Sequence, residues 1–464
     1  MRLERRHPRG AAGVNVPARW PARVVWTCWL LGGLARLIYI LVVHPATQHV
    51  YSDMQGYIDR ATRFAMHAPE GIGDTLYPPG ASMMFGALYA LDPSWTLAMI
   101  VQWLLSLAIM GLVWLIARRV YGPSAAAVAL VIATLYFPYL HYASLWLSEN
   151  GFTALALASV WLLLVAVQSA TLRGAALTAL AAGVAAGLAT AFKNTLLGPL
   201  ALTGLIYSIH AARHRDRRLL PVTLGVVAGL VLVIAPLSER CTRLNEGRFC
   251  LSANNLAMNV LMGHYGEKRE FRWIDRERNI TMVFTAVEST LRGYTDTVIL
   301  DFGPYDSARN SALATQWIAE HPVAALSLSL HNAGSLFSAR TLWPAAVFRG
   351  IDYGAWSQRA FWLLILLPAL ATLAWRASAM VRLRSDSLPE WLLLAPLLGL
   401  IVSVFISIAE VRFRVPFDGL LIVLAAPIWL KAGRVLRGRL LRHSARACEL
   451  PHASTKSPDA ARLS

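Results

Sequence analysis

The chain contains few charged residues for its length. Asp, Glu, Lys and Arg make up 15% of its 464 residues, whereas soluble domains average about 25%. Apolar residues make up 56%, which is far too high for a disordered chain. The composition therefore excludes both an ordinary soluble enzyme and a disordered protein.

Several common nucleotide and metal motifs are missing. The sequence has no G-x-x-x-x-G-K-[ST], no G-x-G-x-x-G after a strand and no H-E-x-x-H. It therefore lacks the patterns of ATP-driven transporters, Rossmann enzymes and zinc proteases. Its four cysteines form no C-x-x-C or Cys/His pattern typical of zinc. We expect no cofactor and assign no metal ligands, although a divalent ion is still possible.

Long apolar runs dominate the sequence instead. A membrane-spanning helix needs about 20 mostly apolar residues, and ten runs approach that length. Two further apolar runs, 79–92 and 322–340, are interrupted and could lie in the membrane interface, so the count could reach 13. The sequence predicts an all-α polytopic membrane protein with these spans: 24–43, 95–117, 125–141, 146–167, 175–192, 195–210, 219–237, 360–378, 390–408 and 415–431.

The positive charges indicate an orientation. The formal net charge is +17, which could suggest nucleic acid, but the basic residues cluster at the ends of apolar runs and not on a polar domain. With ten spans, all the main clusters fall on one side, which the positive-inside rule makes cytoplasmic. The clusters lie in 1–23, 118–119, 173, 213–218, 376–384 and 431–442.

Two long loops then lie on the opposite, external side. They cover 44–94 and 238–359, and 16 of the 26 acidic residues lie in 44–94 and 238–321. A transporter would more often place its few charges at mid-membrane. We therefore expect the chemistry on the external face of an inner (plasma) membrane protein.

The two ends of the chain are polar. Residues 1–23 form a basic cytoplasmic segment, and the run that follows lacks a small-residue cleavage site, so we interpret it as an uncleaved anchor. The membrane domain covers 24–431, and 432–464 is predicted to be a basic, disordered cytoplasmic tail.

In the second loop, Cys241 and Cys250 are nine residues apart. This spacing suits a disulfide in an oxidising compartment, and the alternative is two free thiols.

Three charged residues near predicted span ends are candidates for chemistry. Asp53 follows the first span by about ten residues and could accept a proton from a hydroxyl, or it could cap the helix that follows. Glu149 opens the fourth span and could bind a sugar hydroxyl or pair with Lys193. Lys193 could hold a lipid phosphate or extend to the interface.

External basic residues before the last span break the positive-inside pattern. Arg412 and Arg414 would share one side of an extended stretch, where guanidinium groups could bind phosphate with paired donors. Pairing with Glu410 is the structural alternative. His264 is a weaker candidate in the second loop.

These motifs, in this order, resemble those of the GT-C integral-membrane glycosyltransferases, in the branch of protein O-mannosyltransferases and lipid A aminoarabinose transferases. Relatives often have a second acid where this chain has Met54, and aminoarabinose transferases have Lys where it has Tyr77. The resemblance therefore implies neither the use of a metal nor the type of sugar that the donor carries. The motifs are Ser52-Asp53-Met54 with Tyr57, Tyr77-Pro78-Pro79-Gly80, Ser148-Glu149, Gly187-Leu188-Ala189 with Lys193, and Arg412-Phe413-Arg414-Val415-Pro416.

The resemblance implies a polyprenyl-phosphate sugar donor and a glycan, lipid or protein acceptor, with membrane lipid but no nucleic acid as a further partner. It implies that Asp53 is the catalytic base and that Lys193, Arg412 and Arg414 contact the donor phosphate. The expected site also includes four residues that contact the substrate: Tyr57, Tyr77, Glu149 and His264. A polyprenyl-linked glycan polymerase or ligase, or a lipid or solute transporter, are the alternatives.

Overall fold

A computed structural model describes residues 22–264, 269–276, 279–286, 297–299, 305–340, 342, 344–348 and 350–448. In this part of the chain, helices dominate from the first span to the last. The helices before the second loop are α1 (Ala22–Ile38), α2 (Ser52–Ala65), α3 (Gly80–Leu91), α4 (Thr96–Tyr121), α5 (Pro123–Leu135), α6 (Phe137–Ala143), α7 (Glu149–Val167), α8 (Leu172–Phe192), α9 (Leu197–Arg213) and α10 (Leu219–Leu244).

The second loop and the last three spans add the remaining helices. These are α11 (Leu256–His264), α12 (Ser307–Glu320), α13 (Pro322–Ser335), α14 (Tyr353–Phe361), α15 (Leu367–Val381), α16 (Leu388–Phe405), α17 (Val411–Arg414) and α18 (Asp418–Cys448). Short π or 3-10 turns join several of them, as at Tyr39–Val43 after α1 and Trp362–Leu366 between α14 and α15.

The number of spans agrees with the sequence. Nine described helical segments are long and apolar enough to cross a membrane, and the bent pair α5–α6 makes a tenth. The two doubtful runs form helices of 12 and 14 residues, α3 and α13, which at 1.5 Å per residue are too short to cross about 30 Å of hydrocarbon. The prediction of a helical, polytopic membrane protein is therefore confirmed.

The second loop contains two small sheets that the hydropathy pattern did not predict. Strands β1 (Arg269–Arg276), β2 (Asn279–Ala286) and β3 (Thr297–Ile299) form an antiparallel sheet in that order. Strands β4 (Val347–Phe348) and β5 (Ile351–Asp352) form a short hairpin. Both lie outside the ten spans, so they add to the helical fold without altering it.

A buried arginine stabilises the break between α5 and α6, which meet at a bend of 54°. Pro138 lacks an N–H, so the carbonyl of Thr134 has no helical donor four residues on. Arg36 of α1 supplies the donors: its Nη1 lies 3.1 Å from Thr134 O and its Nη2 2.9 Å from Ala133 O. Its Nε also donates to Ser106 at 3.0 Å. This cation therefore has a structural role within the membrane domain.

Helices α8 and α10 approach each other closely because both present glycine. A Cβ on Gly183 would lie 2.1 Å from the carbonyl oxygen of Val226, and one on Gly229 would lie 2.2 Å from that of Leu180. Any side chain at either position would push the backbones apart. The small residues of 170–191 therefore serve helix packing, as is common where helices associate in lipid.

Candidate active site

The first helix after the first span, α2, presents Asp53 at its start. Asp53 lies in the first turn, where a carboxylate interacts favourably with the helix dipole. Tyr57 and Arg60 follow four and seven residues later, so they share its face of the helix. Met54 and Ala61 are fully buried and hold α2 against the membrane domain. The helix period thus aligns one acid, one phenol and one guanidinium.

Asp53 is paired with an arginine from the other end of the chain. Arg412 Nη1 donates to Asp53 Oδ2 at 2.8 Å, and Arg412 Nε lies 2.6 Å from Glu410 Oε2. The Arg412 and Asp53 side chains are 14% and 23% exposed, so the pair is screened but open to a ligand. One guanidinium is therefore shared by two carboxylates.

A second ion pair lies beside the first. Lys193 follows the last residue of α8 in an extended conformation, and its Nζ lies 2.7 Å from Glu149 Oε1 at the start of α7. Ser148 donates to the other oxygen of Glu149 at 3.4 Å. The two pairs meet at Phe413: Lys193 Nζ is 5.0 Å and Arg412 Cζ is 5.5 Å from the centre of its ring. The aromatic face holds both cations close together.

These residues line one open cavity of about 430 Å³, here called the Asp53 cleft. Three carboxylates and two cations line it, together with polar groups that the sequence did not single out: the amides of Asn194, Asn255 and Asn259. No pattern in the sequence indicated these amides, because they come from different helices and loops. The charged and aromatic lining consists of Asp53, Tyr57, Tyr77, Glu149, Phe192, Lys193, Glu410, Arg412 and Phe413.

Two tyrosines form one wall of the cleft. The ring centres of Tyr57 and Tyr77 are 5.8 Å apart. Burial, followed by the charge of Asp53, raises the pKa of Tyr77 to about 12. Burial also raises the pKa of Tyr57 above its usual range. Both phenols stay protonated at neutral pH and can donate hydrogen bonds to a substrate.

Arg414 lies outside the cleft. It is fully buried, and it donates from Nε to Asp418 at 2.9 Å, from Nη1 to the Leu336 carbonyl at 2.7 Å and from Nη2 to Gln358 at 2.7 Å. The expected extended stretch is instead the helical turn α17. Residues two apart on a helix are about 200° apart, so Arg412 and Arg414 face different ways.

His264 is also turned into the protein. It is 4% exposed, and its ring nitrogens lie 2.9 Å from Ser329 Oγ and 3.1 Å from Val260 O. Its neighbours Met258 and Met262 line the Asp53 cleft, whereas His264 lies on the far side of α11. The structure therefore brings together six of the eight expected residues and separates Arg414 and His264 from them.

The structure joins Cys241 and Cys250 as a disulfide with Cα atoms 5.4 Å apart. It links the C-terminal end of α10 to the segment that leads to Asn255. Ser238 Oγ donates to the carbonyl of Cys250 at 2.8 Å, and the Asn254 N–H donates to that of Thr75 at 2.6 Å. The disulfide thus helps to fix one wall of the cleft. Among the described residues, no group of three or more His, Cys, Asp or Glu side chains could hold a metal ion.

A family comparison covers the middle of the chain. Residues 77–238 match the family described as dolichyl-phosphate-mannose-protein mannosyltransferase. The matched region begins at Tyr77 and includes Glu149 and Lys193, but it ends before Arg412. A search of proteins with curated function found no match.

Solved structures extend the comparison to the whole fold. The oligosaccharyltransferase AglB from Archaeoglobus fulgidus, in complex with an inhibitory peptide and a dolichol-phosphate, superposes with a TM-score of 0.51 at 12% identity, covering 95% of this chain and 52% of that one. Its apo form gives 0.51 at 11% identity, covering 89% and 51%. ArnT from Cupriavidus metallidurans bound to undecaprenyl phosphate gives 0.39 at 16% identity, covering 85% and 78%.

The chain spans about half the length of the oligosaccharyltransferase, so the likeness concerns the membrane-embedded fold. The family match falls inside that same region, from α3 to α10. The chain therefore shares its fold with this oligosaccharyltransferase, and its middle part is similar to the mannosyltransferase family.

Proposed function

We propose that the chain transfers a sugar from a polyprenyl-phosphate donor to an acceptor hydroxyl in the Asp53 cleft. The observation that carries the proposal is the meeting of a carboxylate, Asp53, with two cations, Arg412 and Lys193, in one open cavity. A base and a phosphate-binding pair are the two elements such a reaction needs. The dolichol-phosphate bound to the oligosaccharyltransferase of similar fold supports this class of donor.

The reaction balances with these groups alone. The acceptor oxygen forms a bond to the anomeric carbon while the bond from that carbon to the phosphate oxygen breaks. The hydroxyl proton passes to Asp53, and the polyprenyl phosphate leaves with the electron pair. Attack opposite the leaving group inverts the anomeric configuration. Arg412 and Lys193 stabilise the charge that develops on the phosphate.

The ion pair between Arg412 and Asp53 implies an order of events. While Arg412 donates to Asp53 at 2.8 Å, one oxygen of the carboxylate is occupied by the guanidinium and is not free to accept the proton of a hydroxyl. A donor phosphate offers Arg412 a stronger, bidentate partner. Donor binding thus draws the guanidinium away and leaves Asp53 able to accept the hydroxyl proton.

The position of the cleft favours transfer over transport. Glu149 opens α7, Lys193 follows α8 and Arg412 precedes α18, so the lining comes from the ends of spans and not from their middles. We propose that this end faces outward from the inner membrane, with both termini cytoplasmic. Reporter fusions near Asp74 should read external and those after Arg218 cytoplasmic; the reverse pattern would contradict this orientation.

Lipid analysis of a deletion strain tests the activity. A strain lacking the chain should accumulate a polyprenyl-phosphate sugar detectable by mass spectrometry. The wild-type chain should clear the lipid, whereas Asp53→Asn, expressed at the same level in the membrane, should not. No accumulation in the deletion strain, or clearance by Asp53→Asn, would overturn the proposal. A glycan polymerase or ligase would instead show a product of changed chain length.

A further inference from the structure

A second cavity adjoins the Asp53 cleft. It has a volume of about 390 Å³ and is lined by Arg60, Arg63, Glu70, Asp74, Tyr77 and Arg240 among others; it is here called the Arg60 cleft. Tyr77 lines both cavities. The face of α2 that begins at Asp53 continues through Tyr57 to Arg60, so the two clefts lie along one helix.

Two guanidinium groups in the Arg60 cleft keep unused donors. Arg60 donates from Nε to Ser82 at 3.3 Å and stacks on Tyr77, with Cζ 4.6 Å from the ring centre. Arg240 binds both oxygens of Glu70, with Nε 3.1 Å from each. Within the described part of the chain, no acceptor reaches Arg60 Nη2 or Arg240 Nη1, although both atoms are buried.

Buried donors without acceptors are costly and rare. The lining contains three arginines against Glu70 and Asp74, and Arg63 already pairs with Asp74. One positive charge therefore remains in excess, and Arg60 has no carboxylate among the pairs of the described residues. The missing partner is an oxyanion with several acceptor oxygens, which guanidinium groups bind in a bidentate manner.

The rim indicates where such an oxyanion comes from. Phe64 and Met83 line the cleft and are 39% and 38% exposed. They lie on α2 and α3, and Met66, which directly follows α2, is 68% exposed. An apolar rim around a basic cavity suits a phosphate attached to acyl chains better than a free ion.

We propose that the Arg60 cleft binds the phosphate of a lipid-borne acceptor, a proposal that rests on the function assigned above. Seven residues of helix separate Arg60 from Asp53, a rise of about 10 Å. A phosphate held at Arg60 and Arg240 therefore lets a hydroxyl of the same acceptor, about 10 Å away, lie beside the Asp53 carboxylate. Tyr77 forms the wall along which the acceptor extends.

Binding of phosphatidic acid to the full-length protein in phosphatidylcholine nanodiscs tests the proposal without turnover. Arg60→Gln and Arg240→Gln should each weaken binding by about tenfold, the effect of losing a charge-assisted hydrogen bond. Arg309→Gln, which alters an exposed arginine paired with Asp306, should bind as the wild type does. Unchanged binding in both cleft variants would overturn the proposal.

Glu70→Gln separates a binding site from a structural salt bridge. It leaves Arg240 in place and removes its competitor, so phosphatidic acid should bind more tightly, by several-fold. If the pair served only the fold, Glu70→Gln and Arg240→Gln would both weaken binding along with the melting temperature, and that result would contradict the proposal.

Two control measurements test which ligand binds and which of the two clefts binds it. Inorganic phosphate at the same concentration should not displace bound phosphatidic acid; displacement by phosphate at that concentration would overturn the lipid assignment. Lys193→Gln should leave phosphatidic acid binding intact, and a loss confined to this variant would move the site to the Asp53 cleft. Asp53→Asn should also bind normally, so failure of the catalytic proposal and failure of this one are distinguishable.

Discussion

Arg412 and Asp53 form an ion pair of 2.8 Å although 359 positions separate them in the chain. The pair joins the start of α2 to the turn before the last span. Glu410 holds the same guanidinium from its other side. The candidate base is thus fixed by the residue expected to bind the donor phosphate.

Asp53→Asn keeps the size of the side chain and removes its ability to accept a proton. Activity with a lipid-linked donor should fall by about 10²–10⁴-fold, the usual contribution of a general base. The melting temperature in detergent should change little, because Arg412 keeps Glu410 as a partner. Turnover at the wild-type rate would exclude Asp53 from the mechanism.

Lysine substitutions should distinguish the two arginines. Arg412→Lys keeps the charge but loses the planar fork, so donor KM should rise by about tenfold or more while the protein folds normally. Arg414→Lys loses contacts to Leu336, Gln358 or Asp418 inside the membrane domain and should chiefly lower the melting temperature.

The control for the two lysine variants is a variant that removes the buried charge of Arg414. Breaking a buried ion pair by removing one partner costs about 3–5 kcal/mol, so Arg414→Met should express poorly. A well-folded Arg414→Lys variant with a specific loss of donor binding would instead support the phosphate role predicted from the sequence.

His44 should make the protein sensitive to acid. Burial, and secondarily the nearby His49 ring, lower the pKa of His44 to about 4, whereas an unfolded histidine titrates near 6.5. Between these values the unfolded chain binds more protons, so stability falls as the pH falls from about 6.5 towards 4. Melting curves at pH 7 and pH 5 measure this.

His44→Phe is expected to lower the stability at pH 7, since it loses the contacts of 3.1 Å to Ser144 and 3.3 Å to Tyr51. The relevant quantity is the slope of the melting temperature against pH. The melting temperature of this variant should fall less between pH 7 and pH 5 than that of the wild type. His331→Phe, at an exposed position, should keep the wild-type slope. Equal slopes in all three proteins would contradict the assignment.

Gly183→Ala should destabilise the membrane domain. Its Cβ would lie 2.1 Å from the Val226 carbonyl oxygen, and overpacking of this kind costs about 1–3 kcal/mol. Gly204→Ala in α9 is the matched control, because nothing lies within 4 Å of a Cβ there. Thermal unfolding in detergent should show a loss for Gly183→Ala alone; similar melting temperatures would mean that α8 and α10 are further apart.

The Cys241–Cys250 disulfide should be detectable by alkylation. Without reductant, mass spectrometry of the denatured protein should show neither cysteine modified, and after reduction it should show both. Reduction should also lower the melting temperature, because a disulfide typically contributes about 2–4 kcal/mol. Modification of both thiols before reduction would show that no bridge forms.

The sequence by itself determined the membrane class and the ten spans, whereas the external position of the acids stays a prediction. A membrane span is determined by the hydrophobicity of about one helix length, and its orientation by the positive charges at its ends. Both can therefore be predicted from short segments of the sequence. The same local rules identified Asp53, Glu149, Lys193 and Arg412 as charged residues at span ends, where an unpaired charge is expensive.

Only the tertiary structure decided which of these residues meet. Arg414 satisfied the same local criteria as Arg412, and His264 was a weaker candidate in the second loop, yet the helical turn of α17 and the packing of α11 direct both away from the cleft. Asn255 and Asn259 gave no local signal, and they line the cleft because helices distant in sequence converge there. Contacts of this kind depend on the relative placement of whole helices, which local hydropathy does not specify.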